Sequence, residues 1–121
     1  MSASTQSLGS YLRERREALR TSDPTYSVRQ VAQRIGVEPS YLSKVERGEA
    51  APPSEDTLLR LAGELELDGD LVLAMAGKVS RDLQETIRRR PQLFAQLIRE
   101  LRDHPDHAVL RLVREVRDGD W

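Results

Sequence analysis

"SVRQVAQRIGVEPSYLSKVERGE", residues 27–49, carries two short apolar periodicities separated by a glycine and a proline. Ser27 stands three residues before Gln30, the spacing of a capping box, and Val28, Val31 and Ile35 form an apolar stripe behind it. That pattern predicts a helix closed by Gly36. Pro39 suits the first position of the next helix, where its missing N–H costs no hydrogen bond, and Gly48 suits the residue beyond its end. In this third helix of the chain, about residues 39–47, Leu42 and Val45 share one face. Ser40, Ser43, Lys44 and Arg47 fall on the other at i, i+3, i+4 and i+7, a continuous stripe of hydroxyls and cations. Val37 in the turn is placed to pack on Val31, and the small Ala32 lets the two helices cross closely.

Working outward, almost every segment reads as helix. Leu8, Tyr11, Leu12, Ala18 and Leu19 keep mostly one face of a first helix, and "TSDPT", Thr21 to Thr25, ends it. "AAPPSED" leads into a fourth helix capped by Ser54, with Leu58, Leu59, Leu61, Ala62 and Leu65 directed at a core. A short apolar fifth helix runs from about Asp68 or Asp70 to Met75, and Gly77 stops it. Beyond Lys78 the character changes. Ser80 is expected to cap a sixth helix ending near "RRRP", and Pro91 and Pro105 to start a seventh and an eighth, with arginines between the apolar residues. The expected organisation is therefore all-α: residues 1–7 disordered, 8–77 a five-helix unit, and 79–121 a helical extension.

The 121 residues suffice for one compact domain with an appendage. Only 4% are aromatic, which argues against a large aromatic-lined ligand pocket, and 32% are charged, as in small helical proteins with solvated faces. The absence of cysteine excludes disulfides, thiolate metal sites and cysteine nucleophiles. No basic, apolar leader precedes the first helix, and no window approaches the roughly 20 apolar residues of a membrane span, so a soluble cytoplasmic protein without a membrane partner is expected. The net charge of −1 conceals an uneven distribution. Residues 1–50 carry eight Lys/Arg against six Asp/Glu, residues 51–78 two against six, and residues 79–121 nine against eight. An acidic middle thus masks a mildly basic first third.

A polar helix held against a bracing helix by a short turn is the arrangement that fits a DNA major groove, about 12 Å wide. Ser40 and Ser43 stand near the N-terminus of that helix, where base edges lie closest; Lys44 can donate to guanine O6 or N7, and Arg47, a turn later, to a phosphate. The stretch resembles the phage repressor and Cro family of helix-turn-helix regulators, the XRE family. "SVRQVAQRIGV…SYLSKVERG" matches its small polar cap, apolar-Ala pair, turn glycine and apolar-x-x-apolar-Glu-x-Gly ending, and "PPSEDTLLRLAGELELDGDLVLAMAG" resembles its fourth and fifth helices. The likeness covers about residues 8–77. It implies a repressor-like DNA-binding domain whose base-reading positions are Pro39, Ser40, Ser43 and Lys44, and whose backbone contacts fall near Val28, Arg29 and Arg47. It also implies an ion pair between Arg16 and Glu46, joining the first helix to the end of the third. Proline and serine stand here where family members often place glutamine, and the segment from Arg20 to Tyr26 is longer than in compact relatives.

Plainer readings compete. The stripe from Ser40 to Arg47 could be an ordinary solvated face, as could Arg13, Arg15, Arg29 and Arg34. "HPDH", His104 to His107, offers two imidazoles and Asp106 with no third strong ligand nearby, so no metal or cofactor is expected. Arg88 to Arg90 sit where a helix C-terminus favours cations in any case. No P-loop, HExxH or GxSxG is present, and an enzyme is not expected. The expected function is a sequence-specific transcriptional regulator of double-stranded DNA, acting as a homodimeric repressor on the nucleoid, with paired half-sites about 34 Å apart. The alternative is an antitoxin or other interaction module whose residues 79–121 grip a protein partner.

Overall fold

The computed structural model describes residues 6–119, and every regular element among them is helical. One compact unit holds α1 (Leu8–Arg20), α2 (Val28–Ile35), α3 (Pro39–Glu46), α4 (Glu55–Glu64) and α5 (Gly69–Met75). A second holds α6 (Arg81–Arg89), α7 (Pro91–Asp103) and α8 (Asp106–Asp118), and the division falls between Ser80 and Arg81. Of the seven N-terminal residues expected to be disordered, 1–5 lie outside the described residues. Ser7 is the N-cap of α1, its hydroxyl accepting from the Ser10 N–H at 3.2 Å.

Short polar side chains set the helix starts. Ser27 Oγ accepts from the Gln30 N–H at 3.2 Å, Ser54 Oγ from Thr57 at 3.3 Å, and an Asp68 carboxylate oxygen from Asp70 at 2.9 Å. Pro39 occupies the first turn of α3, and α2 ends at Gly36 with φ 78°, a left-handed conformation in which a side chain would be strained. α3 is shorter than expected: it stops at Glu46, and Arg47 is its C-cap. A single 3-10 turn, Pro24–Tyr26, precedes α2 where a plain loop was expected. Asp23 organises it by accepting from both the N–H and the hydroxyl of Thr25, at 3.0 and 2.7 Å. Those hydrogen bonds, the hydroxyl's first, hold its carboxyl below the usual range.

The core of the first unit is aliphatic. Leu12 of α1, Val31, Ala32 and Ile35 of α2, Leu42 and Val45 of α3, Leu58, Leu61 and Ala62 of α4, Leu65, and Val72 and Leu73 of α5 are buried together. α2 packs on both α3 and α4, and α1 packs on α3, so the bracing helix and the polar helix share one interior. Val37 packs against this core from the turn.

The second unit is built differently. α6 packs on α7 and α7 on α8, but none of the three helices buries a residue. Leu93 is 60% exposed, Val116 58% and Leu110 55%. Pro105 is the N-cap of α8, which starts at Asp106, one residue later than expected. No helix among the described residues is long and apolar enough to cross a membrane.

Candidate nucleic-acid interface

α3 turns Leu42 and Val45 inward and leaves its other face to solvent. Ser40, Lys44 and Arg47 are exposed, and Pro39 and Ser43 are partly so. Neither serine hydroxyl nor the Lys44 ammonium makes a side-chain hydrogen bond among the described residues, so their donors are open to an external acceptor. Arg47 differs. Its guanidinium meets Glu49, with Nε donating at 2.9 Å and Nη2 at 3.2 Å.

The polar helix is clamped to the body from behind. Arg16 of α1, 2% exposed, donates from Nε to Glu46 Oε2 at 2.7 Å and from Nη2 to Glu46 Oε1 at 2.9 Å, a two-pronged pair at the last residue of α3. The same guanidinium donates to the Tyr26 carbonyl at 3.1 Å and to Glu17 at 3.3 Å, so one side chain ties α1, the 3-10 turn and α3 together. The Glu46 hydrogen bonds hold the guanidinium charged more firmly than in water, against the opposing effect of burial. α1 and α3 also approach very closely at Gly9. A Cβ there would lie 2.4 Å from the Val45 carbonyl oxygen and 2.6 Å from that of Glu46.

Beside the clamp lies a cleft of about 290 Å³, lined by Arg13, Arg20, Val28, Ser43 and Arg47, by the exposed Glu17 and by the buried Arg16 and Glu46. Val28 is the first residue of α2, packs partly against the core and lines the cleft. Helix starts leave their first N–H groups without an internal acceptor. Here Ser27 Oγ takes that of Gln30, and those of Val28 and Arg29 have no hydrogen-bond acceptor among the described residues. Arg13, Arg20 and Arg47 line this cleft together with the first residue of α2, whose helix dipole favours negative charge, a constellation that attracts an anionic oxygen. A family model described as a helix-turn-helix domain matches residues 7–75, more than half of the chain. The chain belongs to the helix-turn-helix domain family.

Two curated relatives share this domain, both named as uncharacterized HTH-type transcriptional regulators of Mycobacterium tuberculosis, from strains CDC 1551 and H37Rv. Each is 39% identical over 69 residues, which make up 57% of this chain and 45% of the relative. The chain thus spans about half the length of the curated relatives it matches. No solved structure matches it.

Within the helix-turn-helix domain, the arginines that charge alone cannot rank sort themselves by partner. Arg15 donates to the Leu65 carbonyl at 2.8 Å and lies 3.7 Å from Glu66. Arg34 donates to Glu64 at 2.7 Å and to the Thr25 carbonyl at 2.8 Å, and its guanidinium stands 5.1 Å from the Tyr26 ring centroid. Both are fasteners of the scaffold. Arg13, Arg20 and Arg29 are exposed and have no hydrogen-bond or ion-pair partner among the described residues. Sequence reasoning passed over Arg20, although its position seven residues after Arg13 puts both on one side of α1. Glu49 and Gly9 were also passed over; nothing local marks either.

Proposed function

We propose that this chain is a sequence-specific DNA-binding transcriptional regulator, a repressor that occupies its operator as a homodimer with α3 in the major groove. The observation that carries this reading is the solvent-facing stripe of Ser40, Ser43 and Lys44, whose side chains make no hydrogen bond among the described residues, on a short helix anchored by the buried Arg16–Glu46 pair. In this reading Lys44 donates to guanine O6 or N7, Ser40 and Ser43 to neighbouring base edges, and Pro39 lies against the groove at the leading end. The N–H groups of Val28 and Arg29 with Arg13, Arg20, Arg29 and Arg47 hold the phosphates, which orient the helix without reading sequence. The names of the two mycobacterial relatives support the reading as a transcriptional regulator. Its setting is the cytoplasm, on the nucleoid.

The second unit supplies the pairing surface. Three helices with no buried residue leave the exposed leucines of α7 and α8 for another surface to cover. That same observation favours a second reading, in which a different protein is gripped there and DNA binding serves self-regulation. Selection of binding sites from random duplex DNA tests the two. Recovery of a palindromic site, with affinity falling steeply with salt, is the expected result. A folded protein that enriches no sequence but purifies with a stoichiometric partner overturns the first reading in favour of the second.

A further inference from the structure

The turn that ends α3 brings an acid back onto a cation of the cleft. Gly48 at φ 73° reverses the chain, so that its N–H meets the Val45 carbonyl at 3.1 Å and the Glu49 N–H meets the Lys44 carbonyl at 2.8 Å. This closure sets Glu49 next to Arg47, and the carboxylate receives two donors of the guanidinium fork. A phosphodiester offers the same fork two non-bridging oxygens, so carboxylate and phosphate are alternatives for one set of donors. Among Arg13, Arg20 and Arg47, the exposed arginines of the cleft, Arg47 alone has a carboxylate partner among the described residues. The hydrogen bonds from Arg47, then its charge, with a smaller contribution from Lys44, hold the Glu49 carboxyl below the usual range. The pair is 49% and 55% exposed, too open to matter much as scaffold.

Resting on the DNA-binding reading above, we propose that Glu49 is an internal competitor for the DNA backbone, occupying Arg47 in the free protein and yielding it to a phosphate on binding. Two consequences follow from this exchange. Affinity for duplex of any sequence is lower than the cations alone would give. The freed Glu49 also takes up a cation from solution, which offsets part of the counterion release and makes the salt dependence shallower.

The test is an anisotropy titration of a labelled random-sequence duplex across a salt series, with the wild-type chain, Glu49→Gln, Arg47→Ala and the double variant. Glu49→Gln should bind about two- to five-fold tighter at low salt, the scale of an exposed ion pair. Its log–log salt slope should steepen by up to about 0.9. Most of that gain should vanish in the Arg47→Ala background. An unchanged or weaker Glu49→Gln overturns the proposal, and so does an equal gain in both backgrounds, which bulk charge alone would produce. If the folded wild-type chain binds no duplex at any salt, the DNA-binding reading itself fails, and the competitor with it.

Discussion

Removing the Glu46 carboxylate strands the Arg16 guanidinium, 2% exposed, with only the Tyr26 carbonyl and Glu17 left as acceptors. Breaking a buried pair in this way costs about 3–5 kcal/mol, because the surviving charge stays out of water. Glu46→Ala is therefore expected to lower the melting temperature by more than about 10 °C and to weaken DNA binding with it. Unchanged melting, followed by circular dichroism, would remove the pair from the scaffold. Lys44 belongs to the opposite kind. Its ammonium is exposed and has no hydrogen-bond partner among the described residues, so Lys44→Ala should leave melting unaltered. Its effect should appear on DNA as a loss of about 1–3 kcal/mol and a relaxed preference at one base pair, whereas Arg47→Ala should weaken all sequences alike. Site selection with the two variants separates these outcomes, and a Lys44 variant with unaltered preference would reassign the reader. At this scale the stripe was legible because helical spacing and residue type both appear in the sequence. Glu49 was not, because its partnership depends on a reversal at Gly48 that spacing does not describe.

The elements of the first unit were legible wherever a cap or a proline marked them, and least so where geometry alone decides. Two residues beyond the end of α4, Glu66 has φ 57°, a left-handed conformation without a glycine to announce it. The Pro24–Tyr26 turn is one residue triplet held by Asp23, too short for any periodicity. The crossing of α1 and α3 was hidden in the same way. Gly9 looks like a weak helix residue, yet a Cβ in its place would collide with the backbone of α3, which has no flexible side chain there to move aside. Gly9→Ala should thus cost about 1–3 kcal/mol or more by overpacking, despite alanine's better helix propensity. It should also weaken DNA binding by pushing the end of α3 outward. Gly63 of α4 is the control: nothing lies within 4 Å of a Cβ there, so Gly63→Ala should gain up to about 1 kcal/mol. Thermal melting of both variants checks the pair, and a neutral Gly9→Ala would mean that the two helices slide apart freely.

Taken as a whole, the chain joins a unit with a full aliphatic interior to one without. The stripes of α7 and α8 were plain in the sequence, but a stripe states only that something covers it. Units of about 40 residues seldom hold a core unaided, and the exposed leucines of this one agree. In the proposed homodimer, Leu97→Asp should convert a dimer into a monomer in sedimentation equilibrium while the melting of the first unit stays unchanged. A wild-type chain that sediments as a monomer would count against self-pairing. The first unit, for its part, is fastened by forked side chains that reach between elements. Arg15, Arg16 and Arg34 each engage two acceptors or more, and Arg60 donates to the Ile35 carbonyl at 3.0 Å. A guanidinium can point several donors in fixed directions at once, and an ammonium on a flexible stem cannot. Four of the seventeen arginines in this sequence, which has two lysines, serve in this way. Rewritten with lysine at those four positions, the chain would keep its charge and isoelectric point and lose the rivets between its helices.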